Sequence, residues 1–147
     1  MKGVLITVLF AALVISAASG GLGAEPVNEP GVGISVSTDR TTYAVGEPIV
    51  ITLKVFNHTG EEITFNFSSS KRYDFVIEDD DGNELWRWSE ARMFLMVLGE
   101  DVLGPGKEET TYTEKYEGEL EQGDYKITGT FEARERPMSG SVSMVVK

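Results

Sequence analysis

Beyond residue 32, apolar and polar positions alternate with period two, and turn-forming residues interrupt the alternation roughly every 8–12 residues. Ile34 and Val36 open the pattern. Ile49, Ile51, Leu53 and Val55 then alternate with Val50, Thr52, Lys54 and Phe56, and residues 57–62 turn the chain into Ile63, Phe65 and Phe67. Together these predict a hairpin with one apolar face. Val142, Met144 and Val146 alternate with serines and Val145 in a closing strand. No window sustains a helical repeat, so the pattern predicts an all-β chain of about eight strands.

The clearest local signal is Tyr73-Asp74-Phe75-Val76-Ile77, followed by the charged stretch 78–84 and then Leu85-Trp86-Arg87-Trp88. Asp81-Gly82 between two such runs predicts a tight hairpin, because glycine accepts the positive φ of a type I′ turn. With these two residues as the loop, Ile77 falls opposite Trp86 and Phe75 opposite Trp88, which places both tryptophans in the core. The other face carries Asp74, Val76, Glu78, Leu85 and Arg87, where Arg87 sits between two carboxylates. Further on, Glu121-Gln122-Gly123-Asp124-Tyr125-Lys126-Ile127 has the form of the corner of immunoglobulin-like sheets, in which a tyrosine hydroxyl caps a turn before a late strand. Ile127 then stands where antibody domains place a cysteine, and Gly129 marks a bulge or a close-contact site between Ile127 and Phe131. Two sheets packed on these faces make an immunoglobulin-like antiparallel β-sandwich.

Composition narrows the function classes. The chain has 147 residues, 41% hydrophobic and 25% charged, values that fit one globular domain and not a disordered chain. With 24 acidic against 13 basic residues the formal charge is −11, a field that repels phosphate backbones and argues against a nucleic-acid partner. There is no cysteine, which excludes a disulfide framework, a thiolate metal site, a cysteine nucleophile and a lipid anchor on cysteine. Residues 1–24 read as a targeting segment, with Lys2 as a positive start, an apolar run over 4–15 and small residues after it. Cleavage after Ala18, with Ser16 at the −3 position, fits the small-x-small rule. The alternative is an uncleaved anchor, the one route by which the chain would meet a membrane. Residues 25–32, with Pro26 and Pro30, are then a flexible tether and 33–147 the domain. The expected product is a monomer, secreted or on the exterior face of the cell envelope.

Candidate chemistry is sparse. His58 is the only histidine and sits in the turn Asn57-His58-Thr59-Gly60, so a catalytic triad has little to build on. Asp79-Asp80-Asp81-Gly82 invites a calcium reading, but aligning Gly82 with the loop glycine of an EF-hand puts Ile77 and Trp88 where carboxylates are required. A charged hairpin turn fits the residues better, with a weak surface cation site as the alternative. Asn57-His58-Thr59 and Asn66-Phe67-Ser68 match the glycosylation sequon. No phosphate-binding glycine loop, zinc motif or nucleophile elbow is present, and the chain reads as a binding protein without cofactor or metal. One segment breaks the alternation. Residues 90–99 form a dense apolar run that holds two of the five methionines and precedes an expected loop at 100–107. It reads either as a buried strand or turn closing the end of the sandwich, or as a partly exposed patch. In the second reading Arg92, Met93, Phe94, Leu95 and Met96 are the candidate partner contacts, because methionine-rich apolar surface adapts to partners.

Several of these residues recur together in a known family. Ser69-Ser70, Arg72-Tyr73-Asp74-Phe75, Asp81-Gly82, Trp86-Arg87-Trp88-Ser89, Met93-Phe94 and Leu103-Gly104-Pro105-Gly106 resemble the intracellular proteinase inhibitor (BsuPI) domain, over about residues 43–131. The resemblance implies an immunoglobulin-like sandwich, a serine protease of the subtilisin kind as partner, and no cofactor. The expectation is therefore an exported, non-catalytic inhibitor, with a cell-surface adhesion or assembly module on the same fold as the alternative.

Overall fold

The computed structural model describes residues 31–106 and 108–147. The leader expected over 1–24 and the tether up to residue 30 lie outside the described residues. Among the described residues ten strands form: β1 (Val32–Thr38), β2 (Thr42–Tyr43), β3 (Ile49–Asn57), β4 (Ile63–Phe67), β5 (Tyr73–Asp79), β6 (Glu84–Arg87), β7 (Gly99–Leu103), β8 (Glu108–Tyr116), β9 (Gly123–Phe131) and β10 (Met138–Val146). The only helical element among the described residues is a 3₁₀ turn, Trp88–Ala91. β1, β3 and β8 make one sheet and β2, β10, β9, β5 and β6 the other, in those spatial orders, while β4 and β7 form a separate ribbon. Every pairing is antiparallel except the short β2 against β10. The all-β sandwich is as the alternation predicts, with the additional strands coming from β2 and from β7, which occupies part of the expected loop at 100–107.

Period two explains the core directly. Ile34, Val36, Ile51, Leu53 and Val55 of the first sheet meet Phe75, Ile77, Ile127, Val142 and Met144 of the second, all of them buried. Gly129 lets the layers approach: a Cβ there would stand 2.7 Å from Val36 and 2.8 Å from Leu53. It is the close-contact site and not a bulge, since it pairs in register with Gly140. Phe65 and Phe67 of the ribbon set their edges against Phe131, with ring centroids 5.0 and 5.3 Å apart. The corner forms as expected: the Tyr125 hydroxyl donates to the Glu121 carbonyl at 2.8 Å, and Ile127 is fully buried.

Two expectations are corrected. The hairpin joining residues 49–56 to 63–67 does not form, because β3 pairs on both sides, with β1 and β8, and β4 pairs with β7. The cause is Asn57, whose buried amide donates to the carbonyls of Glu61 at 2.8 Å and Gly104 at 2.6 Å while its oxygen accepts from the Thr59 N–H at 2.9 Å. This knot takes the chain out of the sheet and carries Phe65 and Phe67 across to Phe131; it also occupies the amide of the first sequon. The second correction is to the turn at Asp81-Gly82. Gly82, at φ 82°, donates to the Asp79 carbonyl and Asp79 N–H donates to Asn83, which makes a three-residue loop instead of a two-residue one. The shift of one residue is undone by a bulge at Leu85, so Ile77 still falls opposite Trp86. Trp86 and Trp88 pack against the core but are only half-buried, and Trp88 leaves the strand altogether to begin the 3₁₀ turn.

Candidate functional site

β5, β6 and the 3₁₀ turn are tied by one carboxylate. Asp74 is 2% exposed and accepts from Lys71 Nζ at 2.6 Å, from the Ser89 hydroxyl at 2.6 Å and N–H at 3.1 Å, and from Arg87 at 3.4 Å. Arg87 is bidentate to Glu84 as well, so it does sit between two carboxylates. Burial pushes the Asp74 carboxyl up, and the bonds from Lys71 and Ser89 outweigh it, leaving the group below the ordinary aspartate range. Aspartate at 74 and serine at 89 thus fix where the chain goes after β6.

From the 3₁₀ turn an aromatic ladder leads from the core to the surface. Tyr112 stacks on Tyr73 at 4.4 Å, Tyr73 on Trp88 at 4.5 Å, and the Phe94 ring lies 5.7 Å from Trp88. The Tyr73 hydroxyl donates to Glu114, and burial together with that bond raises its pKa. Arg92 lies over the Trp88 ring at 4.4 Å and reaches Glu114 at 3.7 Å. On this support the segment 92–98 runs over the surface. Met93 is fully exposed, Leu95 is 69% exposed, Met96 84% and Leu98 78%. The reading of this run as a buried strand or turn is therefore corrected: the ladder beneath it and β4–β7 beside it already close this end of the sandwich, leaving no core for its side chains to enter.

The segment is apolar, exposed and fastened. Arg92 and Phe94 hold its first half on Trp88. Leu95 is tied by both backbone groups to one residue: its N–H donates to the Ser70 hydroxyl at 2.8 Å and its carbonyl accepts from the Ser70 N–H at 2.9 Å. Gly99 then enters β7 opposite Phe67, where the Arg72 guanidinium lies over the Phe67 ring at 4.2 Å and bonds Asp101 at 2.8 Å. A Cβ at 99 would stand 2.5 Å from that guanidinium, so a larger residue there would have to displace the Arg72 side chain. Of the five candidate contacts, Arg92, Met93, Leu95 and Met96 are exposed and Phe94 is half-buried. The sequence did not single out Val97 and Leu98, which are also exposed, nor the tether at Ser70, whose only signal was the Ser69-Ser70 pair ahead of Arg72.

The other candidates do not assemble a site. His58 is exposed and stacks on Phe56 at 4.6 Å. The Asp79 carboxylate is taken up by the turn, accepting from Asp81 N–H at 3.0 Å and from Asn83 N–H and amide at 2.8 and 2.9 Å. No cluster of three or more metal-ligating side chains occurs among the described residues.

With this geometry in place, comparison with known proteins is informative at two levels. The sequence profile of the BsuPI family, described as intracellular proteinase inhibitor, matches residues 36–136. No curated protein matches the chain by sequence. Among solved structures, Spo0M, a sporulation control protein from Bacillus subtilis, is similar at 13% identity with a TM-score of 0.52, over 81% of this chain and 50% of that one. The C-terminal domain of wzt is similar at 13% identity with a TM-score of 0.51, over 84% of this chain and 78% of that one. The chain thus spans half the length of the sporulation protein, and at such identity both likenesses show the fold alone. The family's description as intracellular corrects the expectation of a secreted or cell-envelope protein, which rested on the leader pattern over residues 1–24. The cell-surface adhesion module rested on that same expectation.

Proposed function

The chain belongs to the intracellular proteinase inhibitor family, and we propose that it inhibits a subtilisin-like serine protease by laying segment 92–98 across the enzyme's substrate cleft. The observation that carries this reading is the fastened exposure of Met93, Leu95, Met96 and Leu98. Exposed apolar side chains in a row mark a surface meant to be covered. A segment already held in place loses less conformational freedom on binding than a free loop, so more of the contact energy appears as affinity. With both backbone groups of Leu95 engaged by Ser70, the segment meets a partner through its exposed side chains. Arg92, Met93, Phe94, Leu95 and Met96 are the proposed contacts, extended to Val97 and Leu98, with Arg92 at the rim and the methionines adapting to the cleft.

Titration of subtilisin with the chain, followed by hydrolysis of a small peptide substrate, tests the reading. The expected result is competitive inhibition that saturates with one inhibitor per enzyme. Full enzyme activity at every concentration, with the chain cleaved between residues 92 and 98, would overturn it.

A further inference from the structure

We infer that Met93 and Met96 form an oxidation-sensitive switch, in which their conversion to sulfoxides by a peroxide weakens the grip on the protease while leaving the fold intact; the inference rests on segment 92–98 being the contact. The described methionines divide sharply. Met93 and Met96 lie in the exposed segment, at 100% and 84% exposure, whereas Met138 and Met144 are buried in the core. The chain has no cysteine, so no thiol competes for the oxidant. Thioether oxidation follows solvent access, which directs it to the two exposed positions.

The chemistry is a single oxygen transfer. The thioether sulfur attacks a peroxide oxygen, an S–O bond forms as the O–O bond breaks, sulfur is oxidised to the sulfoxide, and with hydrogen peroxide the other oxygen leaves as water. An apolar, flexible side chain becomes a polar, chiral one. Nothing that fastens the segment uses either sulfur: Arg92 and Phe94 bear on Trp88, and Leu95 is held through its backbone by Ser70. Oxidation therefore alters the contacting surface and spares its support. Sulfoxide reductases, one for each epimer, reverse the change.

The test treats the full chain with hydrogen peroxide, removes the oxidant with catalase, and then measures three things. Peptide mass spectrometry is expected to find one added oxygen at Met93 and at Met96 well before Met138 or Met144. Circular dichroism is expected to stay native. The inhibition constant against subtilisin is expected to rise about tenfold or more, the loss of one or two strong apolar contacts, and to recover after treatment with the two reductases. The double variant Met93→Leu/Met96→Leu, whatever its starting constant, is expected to keep that constant through the same treatment. Complete oxidation of both methionines with an unchanged constant, in a protein whose Leu95→Asp variant inhibits at least about tenfold more weakly, overturns the switch and leaves the contact reading standing. Oxidation of Met138 and Met144 as fast as the exposed pair overturns the selectivity on which it depends. An unoxidised chain that does not inhibit subtilisin removes the contact reading and the switch with it.

Discussion

Asp74 is the residue on which the end of the molecule that carries segment 92–98 turns. It is buried yet charged, with partners on β6, the 3₁₀ turn and the chain before β5. Its folded pKa lies below its unfolded value, near 3.8, so its contribution to stability is full above that value and is lost as pH falls through the folded one. Asp74→Asn is expected to cost about 1.5–3 kcal/mol, the range for hydrogen bonds to charged groups. The cost stays below that of a fully buried pair because Lys71 and Arg87 keep contact with water. Urea denaturation across the acid range checks this: the native protein loses stability steeply below about pH 4, whereas the variant starts lower and declines less. A variant with the native acid slope would mean that other carboxylates govern that limb.

At the scale of elements, the segment 92–98 depends on its neighbours for its place. Removing one tether tests this without touching the proposed contact residues. Ser70→Ala deletes the hydroxyl that accepts from Leu95 N–H and keeps the backbone bond. A lost hydrogen bond of about 0.5–1.5 kcal/mol corresponds to a rise of about two- to tenfold in the inhibition constant, with the thermal midpoint almost unmoved because the tether lies on the surface. A lowered midpoint with unchanged inhibition would make the bond structural only. The legibility of each element in the sequence follows from how local its cause is. β3, β9 and β10 announce themselves by alternation, β5 by its apolar run ahead of Asp81-Gly82, and the corner at Tyr125 by its spacing, because each depends on residues close in the chain. The register of Ile77 opposite Trp86 survived a wrong turn type because the bulge at Leu85 compensates the longer loop. The failed hairpin after β3 turned on Asn57, whose partners Leu103 and Gly104 lie far along the chain. The exposure of 92–98 was equally illegible: an apolar run is buried or displayed according to whether a core remains open beside it, and here the aromatic ladder and the ribbon fill that space.

The whole molecule adds a long-range term to these contacts. The chain carries a formal charge of −11, so encounter with a basic enzyme surface is expected to be steered. Stopped-flow association with a protease of net positive charge is expected to slow as ionic strength rises, while the dissociation rate changes little. An on-rate flat from low to physiological salt would remove steering. The central claim, that the fastened segment is the inhibitory contact, is tested most directly by Leu95→Asp, measured for fold and for inhibition on the same sample. Leu95 is the better probe than Phe94, which is half-buried against Trp88 and whose loss would confuse folding with binding. A native circular dichroism spectrum together with an inhibition constant raised at least about tenfold is the predicted result; a native spectrum with undiminished inhibition of subtilisin would contradict it.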